Sequence, residues 1–240
     1  DMWGFITEVT APYYFFIGSG NKALEPTEDG YRIAIGDEKV VSALENSLFF
    51  AVDAQNAVCV DDGSFKFTAA TVWDEAYKMF TSNQSLFRSS ALGDILEYRD
   101  MKMDYGILPI PKASEQQEEY YSLVSSWDDP MVIPVTVSDP ERTGLIVEAL
   151  CCASDGDVKS AFYDTLLSGK LMRDEQSVEM LDLVIKSKTY DIDWTMDITG
   201  VFSILSNIAK TKKDNLTSSI AKVQEKSQAK LDKFIANFED

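Results

Sequence analysis

The stretch DYGILPIPKASEQQEEYYSLVSSWDDPMVIPVTVSDP, Asp104–Pro140, decides how the rest of the chain is read. Tyr105-Gly106-Ile107-Leu108 reads as a short apolar strand stopped by Pro109 and Pro111, because proline cannot donate to a ladder. Glu115–Glu119 is charged and glutamine-rich, the composition of an exposed loop. Met131-Val132-Ile133-Pro134 reads as a second strand. Ser138-Asp139-Pro140-Glu141 then opens a helix, with a capping residue ahead of a proline at the first position. Helix-rich sequence flanks the stretch on both sides. That order predicts a crossover between two lobes with a ligand cleft beside it.

Upstream, the aromatic run Tyr13–Phe16, ended by Gly18-Ser19-Gly20, predicts an amphipathic helix with an aromatic face. Tyr31–Ile35 alternates like a strand after the Glu28-Asp29-Gly30 turn. From Asp37, a candidate cap, Val40, Val41, Leu44, Leu48 and Val52 share one helical face. A helix is predicted over Thr71–Thr81 and a short strand at Ser85-Leu86-Phe87, with a helix or turn at Ser90–Asp94. Downstream, Leu145, Ile146, Ala149 and Leu150 make the apolar face of the helix that begins near Pro140. Further helices are predicted over 157–167, 174–188, 198–210 and 217–238. The last of these packs as a terminal helix, since its heptads are too few for a coiled coil.

The chain has 240 residues, enough for one large core or two modest ones. Its 40 acidic and 22 basic residues give a net charge of −18, which argues against a phosphate-tracking nucleic-acid binder and against an anionic membrane surface. No apolar run reaches membrane-spanning length. Histidine is absent, so a Ser-His-Asp or Cys-His arrangement within the chain is excluded. The three cysteines, Cys59, Cys151 and Cys152, make neither a disulfide framework nor a metal spacing and read as small buried hydrophobes. Gly18-Ser19-Gly20 lacks the lysine and spacing of a phosphate loop, and Asp191-Ile192-Asp193 lacks the later ligands of a calcium loop. No cofactor or metal is expected.

Tyr13, Tyr14, Trp127 and Trp194 stand beside turns or element ends, where a ring can stack on a sugar face. Asp128 and Asp129 follow Trp127 in the crossover and can accept hydroxyl hydrogen bonds there. Other carboxylate pairs, such as Asp61-Asp62, arise readily in so acidic a chain.

In order along the chain, WGF with APYYFFIGSG, the helical stretch Asp37–Val52, MFTSNQSLFRSSALGD, DYGILPIPK and MVIPVTVSDPERTGLIVEAL resemble the extracellular solute-binding proteins of bacterial ABC importers, family 1, the maltose-binding-protein-like group. DYGILPIPK is the most specific piece. LMRDEQSVEMLDLVIKSKTYDID is similar to a segment of Firmicute lipoprotein members. The resemblance implies an α/β, helix-rich fold of the periplasmic-binding-protein type II kind, mostly the second lobe with part of the first. It puts residues 1–120 and 190–240 in the second (C-terminal) lobe, and 121–189 in the hinge and remnant of the first. The family's strand–helix units, lipoprotein signal and lipid-bearing cysteine have no counterpart in the sequence, so the resemblance implies a fragment of an extracellular, cell-surface lipoprotein.

The implied activity is not enzymatic. It is capture of a solute, a mono- or oligosaccharide, by lobe closure, and delivery to an ABC permease in the membrane. The implied protein is a monomer that binds no nucleic acid. Carried onto this sequence, Tyr13 stands where a sugar-stacking tyrosine follows a proline, and Phe202 or Trp194 near the late stacking aromatic. Leu92-Gly93 occupies the place of the middle stacking tryptophan, which speaks against a maltodextrin, while Trp127 offers replacement surface. Two readings from other classes stay open: an acidic helical protein-interaction module, and a carboxylate-dependent glycoside hydrolase using Asp128 and Asp129.

Overall fold

The computed structural model describes residues 2–52, 55–63, 65–66, 68–125, 131–162, 175–213 and 215–238. The fold is mixed α/β and helix-rich, with small sheets. Its framework is a three-stranded parallel sheet in which β1 (Trp3–Thr7) lies between β4 (Ala57–Cys59) and β5 (Ser85–Arg88). Phe5 stands opposite Ala57 on one side and Phe87 on the other. Residues beyond the strands extend the ladder, with Val60 N–H donating to Thr7 O (3.0 Å) and Ser89 N–H to Ile6 O (3.2 Å).

β1 and β4 were not legible as strands in the sequence. Both are short and apolar without clear alternation, the pattern of parallel strands covered on two faces. One face meets α4 (Val72–Thr81), whose Ala76 and Met79 pack on Ile6, Val58 and Val60. On α1 (Ala11–Gly18), Phe15 meets Phe5 with centroids 5.9 Å apart. α4 starts where the sequence places it, because Thr71 and Asp74 form a reciprocal capping box.

β2 (Leu24–Thr27) and β3 (Gly30–Ile33) form an antiparallel hairpin. The strand read at Tyr31–Ile35 is present over Tyr31–Ile33, and Leu24–Thr27 is its unforeseen partner. The single helix expected over Asp37–Val52 is two: α2 (Glu38–Ser47) and α3 (Phe49–Val52). Asp37 does not cap α2 with its side chain. Its carboxylate accepts from Arg32 Nη1 at 2.7 Å instead.

Two expected strands are absent. Residues 104–111 lie outside any ladder, and Ile107 N–H donates to the Ser177 hydroxyl (3.3 Å). Residues 131–134 are likewise unpaired among the described residues. Prolines in both segments remove donors, and Met131 and Val132 have no covering layer. Leu92–Asp100 forms a 3-10 helix.

β6 (Ser122–Leu123) pairs in parallel with β7 (Lys188–Thr189). Between them, α5 (Pro140–Ala153) is capped by Asp139, which accepts from Arg142 N–H at 3.0 Å. A π turn follows at Ser154–Val158, and the described helical chain continues to residue 162. α5 buries no residue, and Leu145, Ile146 and Leu150 are exposed. Cys151 and Cys152 are exposed too, contrary to the buried reading, because they lie on α5, which buries none of its residues; Cys59 is buried as expected. Of the helix read at 174–188, α6 (Glu175–Lys186) is described, and its Leu181 packs on Ile95. The short helix α7 (Ile192–Met196) follows β7.

The largest core joins α1 and α2 to α8 (Val201–Thr211) and α9 (Leu216–Ala236). Tyr13, Phe16, Ile17, Leu44, Leu205 and Ile220 are among its members. Burying each of the large side chains stabilises the fold by about 1.5–3 kcal/mol.

Candidate functional site

The carboxyl ends of parallel strands converge main-chain and side-chain polar groups on one edge of a sheet, where α/β folds place ligands. Here β1 runs into Glu8, β4 into Asp61, and β5 ends in Arg88 with Ser89 and Ser90 beyond. Glu8 and Arg88 are both buried, with side-chain exposures of 3% and 4%. Arg88 Nη2 lies 3.8 Å from Glu8 Oε1 and 3.7 Å from Asp94 Oδ2. Arg88 also donates to the Tyr98 hydroxyl, which lies 3.0 Å from Ser90 Oγ. Ser89 Oγ donates to Glu8 Oε2 at 3.3 Å. Asp61 is held by Val9 N–H (2.8 Å) and by the Cys59 thiol (3.4 Å).

Two polar atoms of this cluster, Glu8 Oε1 and Arg88 Nε, are buried without a hydrogen-bond partner. Burial pushes the Glu8 carboxyl up from 4.5 to about 7, against the pull of Arg88 and with a further push from Asp61 and Asp94. Burial also raises the Tyr98 phenol, with Arg88 opposing. The Cys59 thiol is raised by burial, and by Asp61 after it, so it stays protonated and is no nucleophile. The cluster meets solvent at Asp94, whose side chain is 32% exposed.

Of the residues singled out in the sequence, the fold gathers Tyr13, Tyr14, Trp194 and Phe202 into one aromatic group. Trp194 lies 4.9 Å from Tyr13, 5.6 Å from Tyr14 and 4.7 Å from Phe202 between ring centroids. The group is not an exposed stacking platform. Tyr13 is fully enclosed and Trp194 is buried, both within the main core. The reason is local: α1 is apolar nearly all round, so the face carrying Tyr13 turns inward beside Phe16 and Ile17. Tyr14 is half-buried. Burial raises its phenol while Thr10 opposes, and the charges of Glu8 and Asp94 add to the rise. Phe202 is half-buried against the core. Trp127, Asp128 and Asp129 lie outside the described residues.

Beneath the aromatic group sits a second polar knot. Asp193 is fully buried and accepts from Thr199 N–H (2.8 Å) and from the Thr199 hydroxyl. Asp191 caps α7 by accepting from Asp193 N–H (2.9 Å), and Tyr13 OH donates to it at 3.4 Å. Ser203 Oγ donates to Asp197 at 2.6 Å. Burial lifts the Asp193 carboxyl to about 6, with the Thr199 bonds opposing. These carboxylates tie α1, α7 and the entry of α8 together, so their role is structural.

Sequence reasoning missed Glu8 and Arg88. The available signal was a charged side chain immediately after a short apolar run, at both WGFIT-Glu8 and SLF-Arg88, each followed or preceded by Ser or Thr. Among the described residues, no three His, Cys, Asp or Glu side chains are gathered as a metal ion would require, and no helix is long and apolar enough to cross a membrane. A depression of about 490 Å³ lies between Gly106–Leu108 and the α6 residues Gln176, Ser177, Glu179 and Met180, apart from the strand-end cluster. No protein-family model matches the chain, and no curated protein matches it significantly.

Proposed function

We propose that the chain is the substrate-binding component of an ABC importer, an extracellular lipoprotein part that captures a carbohydrate and passes it to a membrane permease. The observation that carries this reading is the buried Glu8–Arg88 pair at the carboxyl ends of adjacent parallel strands, with one donor and one acceptor atom unpartnered. Such a pair can exchange its missing bonds for a hydroxylated solute. Half-buried Tyr14, whose phenol is raised in part by the Glu8 and Asp94 charges, offers an aromatic surface of the kind that stacks on sugar rings. In this reading the fold is of the periplasmic-binding-protein type II kind. Residues 1–120 and 190–240 form the second lobe, and 121–189 the hinge and part of the first. The β6–β7 pairing is then a hinge, and the exposed Leu145, Ile146 and Leu150 face the remainder of the first lobe.

Calorimetry against a panel of mono- and oligosaccharides tests it. Saccharide binding lost on Arg88→Met supports the reading, and binding of another solute class alone removes its carbohydrate part. The uncovered apolar side of α5 favours a second reading, an acidic helical module that docks a protein partner. Salt-sensitive complex formation unaffected by Arg88→Met would select that one.

A further inference from the structure

Resting on the solute-binding reading, we infer that the strand-end cluster takes a hydroxylated solute bearing a protonated amine, an amino sugar, whose ammonium donates to the unpartnered Glu8 Oε1. The charge census of the cluster leads there. Glu8, Asp61 and Asp94 surround a single guanidinium, Arg88. Asp61 is committed to the Val9 amide and the Cys59 thiol, and Asp94 accepts from Ser90 Oγ at 2.5 Å. Of the three, Glu8 is the carboxylate with a buried oxygen, Oε1, left without a hydrogen-bond donor.

Every group facing Glu8 bears on the same point. From β5 and its end come Arg88 at 3.8 Å and the Ser89 hydroxyl at 3.3 Å. Asp61 follows β4, and Asp94 and Tyr98 stand on the 3-10 helix. The Tyr14 phenol, on α1, is raised in part by the Glu8 charge. Only Arg88 among these is cationic. The site already accepts one further positive charge, in the form of the proton that burial holds on Glu8 near neutrality. Exchange for an ammonium leaves the net charge of the cluster unchanged. The Glu8 O–H bond breaks, the proton goes to solvent, and the ammonium donates to Glu8 Oε1. Arg88 Nε, the other unpartnered atom, donates to a neighbouring hydroxyl oxygen. A uronate would place a second uncompensated negative charge beside Asp94, and the geometry disfavours it.

The test titrates the full chain with 6-amino-6-deoxy-D-glucose, D-glucose and D-glucuronate, read by amide chemical-shift perturbation and by calorimetry in buffers of different ionisation enthalpy. The amine is expected to bind tightest, to release a proton near neutral pH, and to weaken about tenfold between pH 8 and pH 6 as Glu8 is protonated. Glu8→Gln is expected to abolish both the pH dependence and the proton release. D-Glucose or D-glucuronate binding as tightly, or amine binding without proton release, overturns the inference and leaves the solute-binding reading standing. Absence of any saccharide-induced shift removes both.

Discussion

The Arg88 guanidinium lies 3.8 Å from the Glu8 carboxylate, with both side chains buried at the ends of neighbouring parallel strands. At that distance the pair attracts but does not share a hydrogen bond, so each ion gives up water without full repayment. The consequence is a carboxyl that holds its proton up to about pH 7.

This sets a sign for the pH dependence of stability. Glu8 titrates at about 7 in the fold against an ordinary 4.5, so folding favours its protonated form. Its favourable contribution is fully present below about 4.5 and is lost as pH rises through about 7, a change on the order of 3 kcal/mol. Glu8→Gln is expected to be more stable than the parent at pH 8 and nearly equal at pH 4.5. Urea denaturation at the two pH values checks this, and a parent curve that does not fall over that window would refute it.

Removing the other partner has the opposite outcome. Arg88→Met strands Glu8 between Asp61 and Asp94, and costs about 3–5 kcal/mol where Glu8 is ionised. The cost shrinks as pH falls through about 7, where Glu8 takes up its proton. Combining Glu8→Gln with Arg88→Met is expected to recover much of the loss, because no buried charge is left alone. A double-mutant cycle by thermal unfolding measures the coupling.

Asp193 supplies a separate check on the structural knot. It accepts two bonds from Thr199 in full burial. Asp193→Ala is expected to cost about 2–4 kcal/mol, since the Thr199 amide is then orphaned. Far-UV circular dichroism against urea reads it, with saccharide affinity of the folded fraction unchanged.

Tyr13 separates the core role of the aromatic group from a ligand-stacking role. Its ring is enclosed by Phe16, Trp194 and Phe202, and its hydroxyl donates to Asp191. Tyr13→Phe is expected to cost only about 0.5–1.5 kcal/mol, and Tyr13→Ala about 3–5 kcal/mol through the cavity it leaves. Neither the Phe variant's saccharide affinity nor its specificity should change, whereas Tyr14→Ala should weaken binding.

At the end of α1, Gly20 adopts φ +75°, and an added Cβ would stand 2.8 Å from the Tyr121 ring beside β6. Gly20→Ala is expected to destabilise by about 1–2 kcal/mol, through the left-handed backbone and the displaced ring together. A drop in melting temperature checks it.

What the sequence alone determined was chosen by local rules. The capping box at Thr71, the Asp139-Pro140 helix start and the apolar face of α8 needed only neighbours three or four residues away. Tyr13, Tyr14 and Trp194 stand out in the sequence as aromatics beside turns, and Phe202 through the resemblance, but neither their meeting nor their burial is legible there. Whether a ring at an element end faces water depends on what a distant helix lays over it, and α8 and α9 cover α1 from beyond residue 200.

Tertiary structure alone decided the strand-end site. β1 and β4 are too short and too uniformly apolar to declare themselves, and only pairing in register brings Glu8, Asp61 and Arg88 to one edge. Over eighty residues separate Glu8 from the hydroxyl of Ser89 that bonds it. A charge's meaning, solvated surface or buried pair, is set by which strands pair beneath it, and pairing is a property of the whole chain.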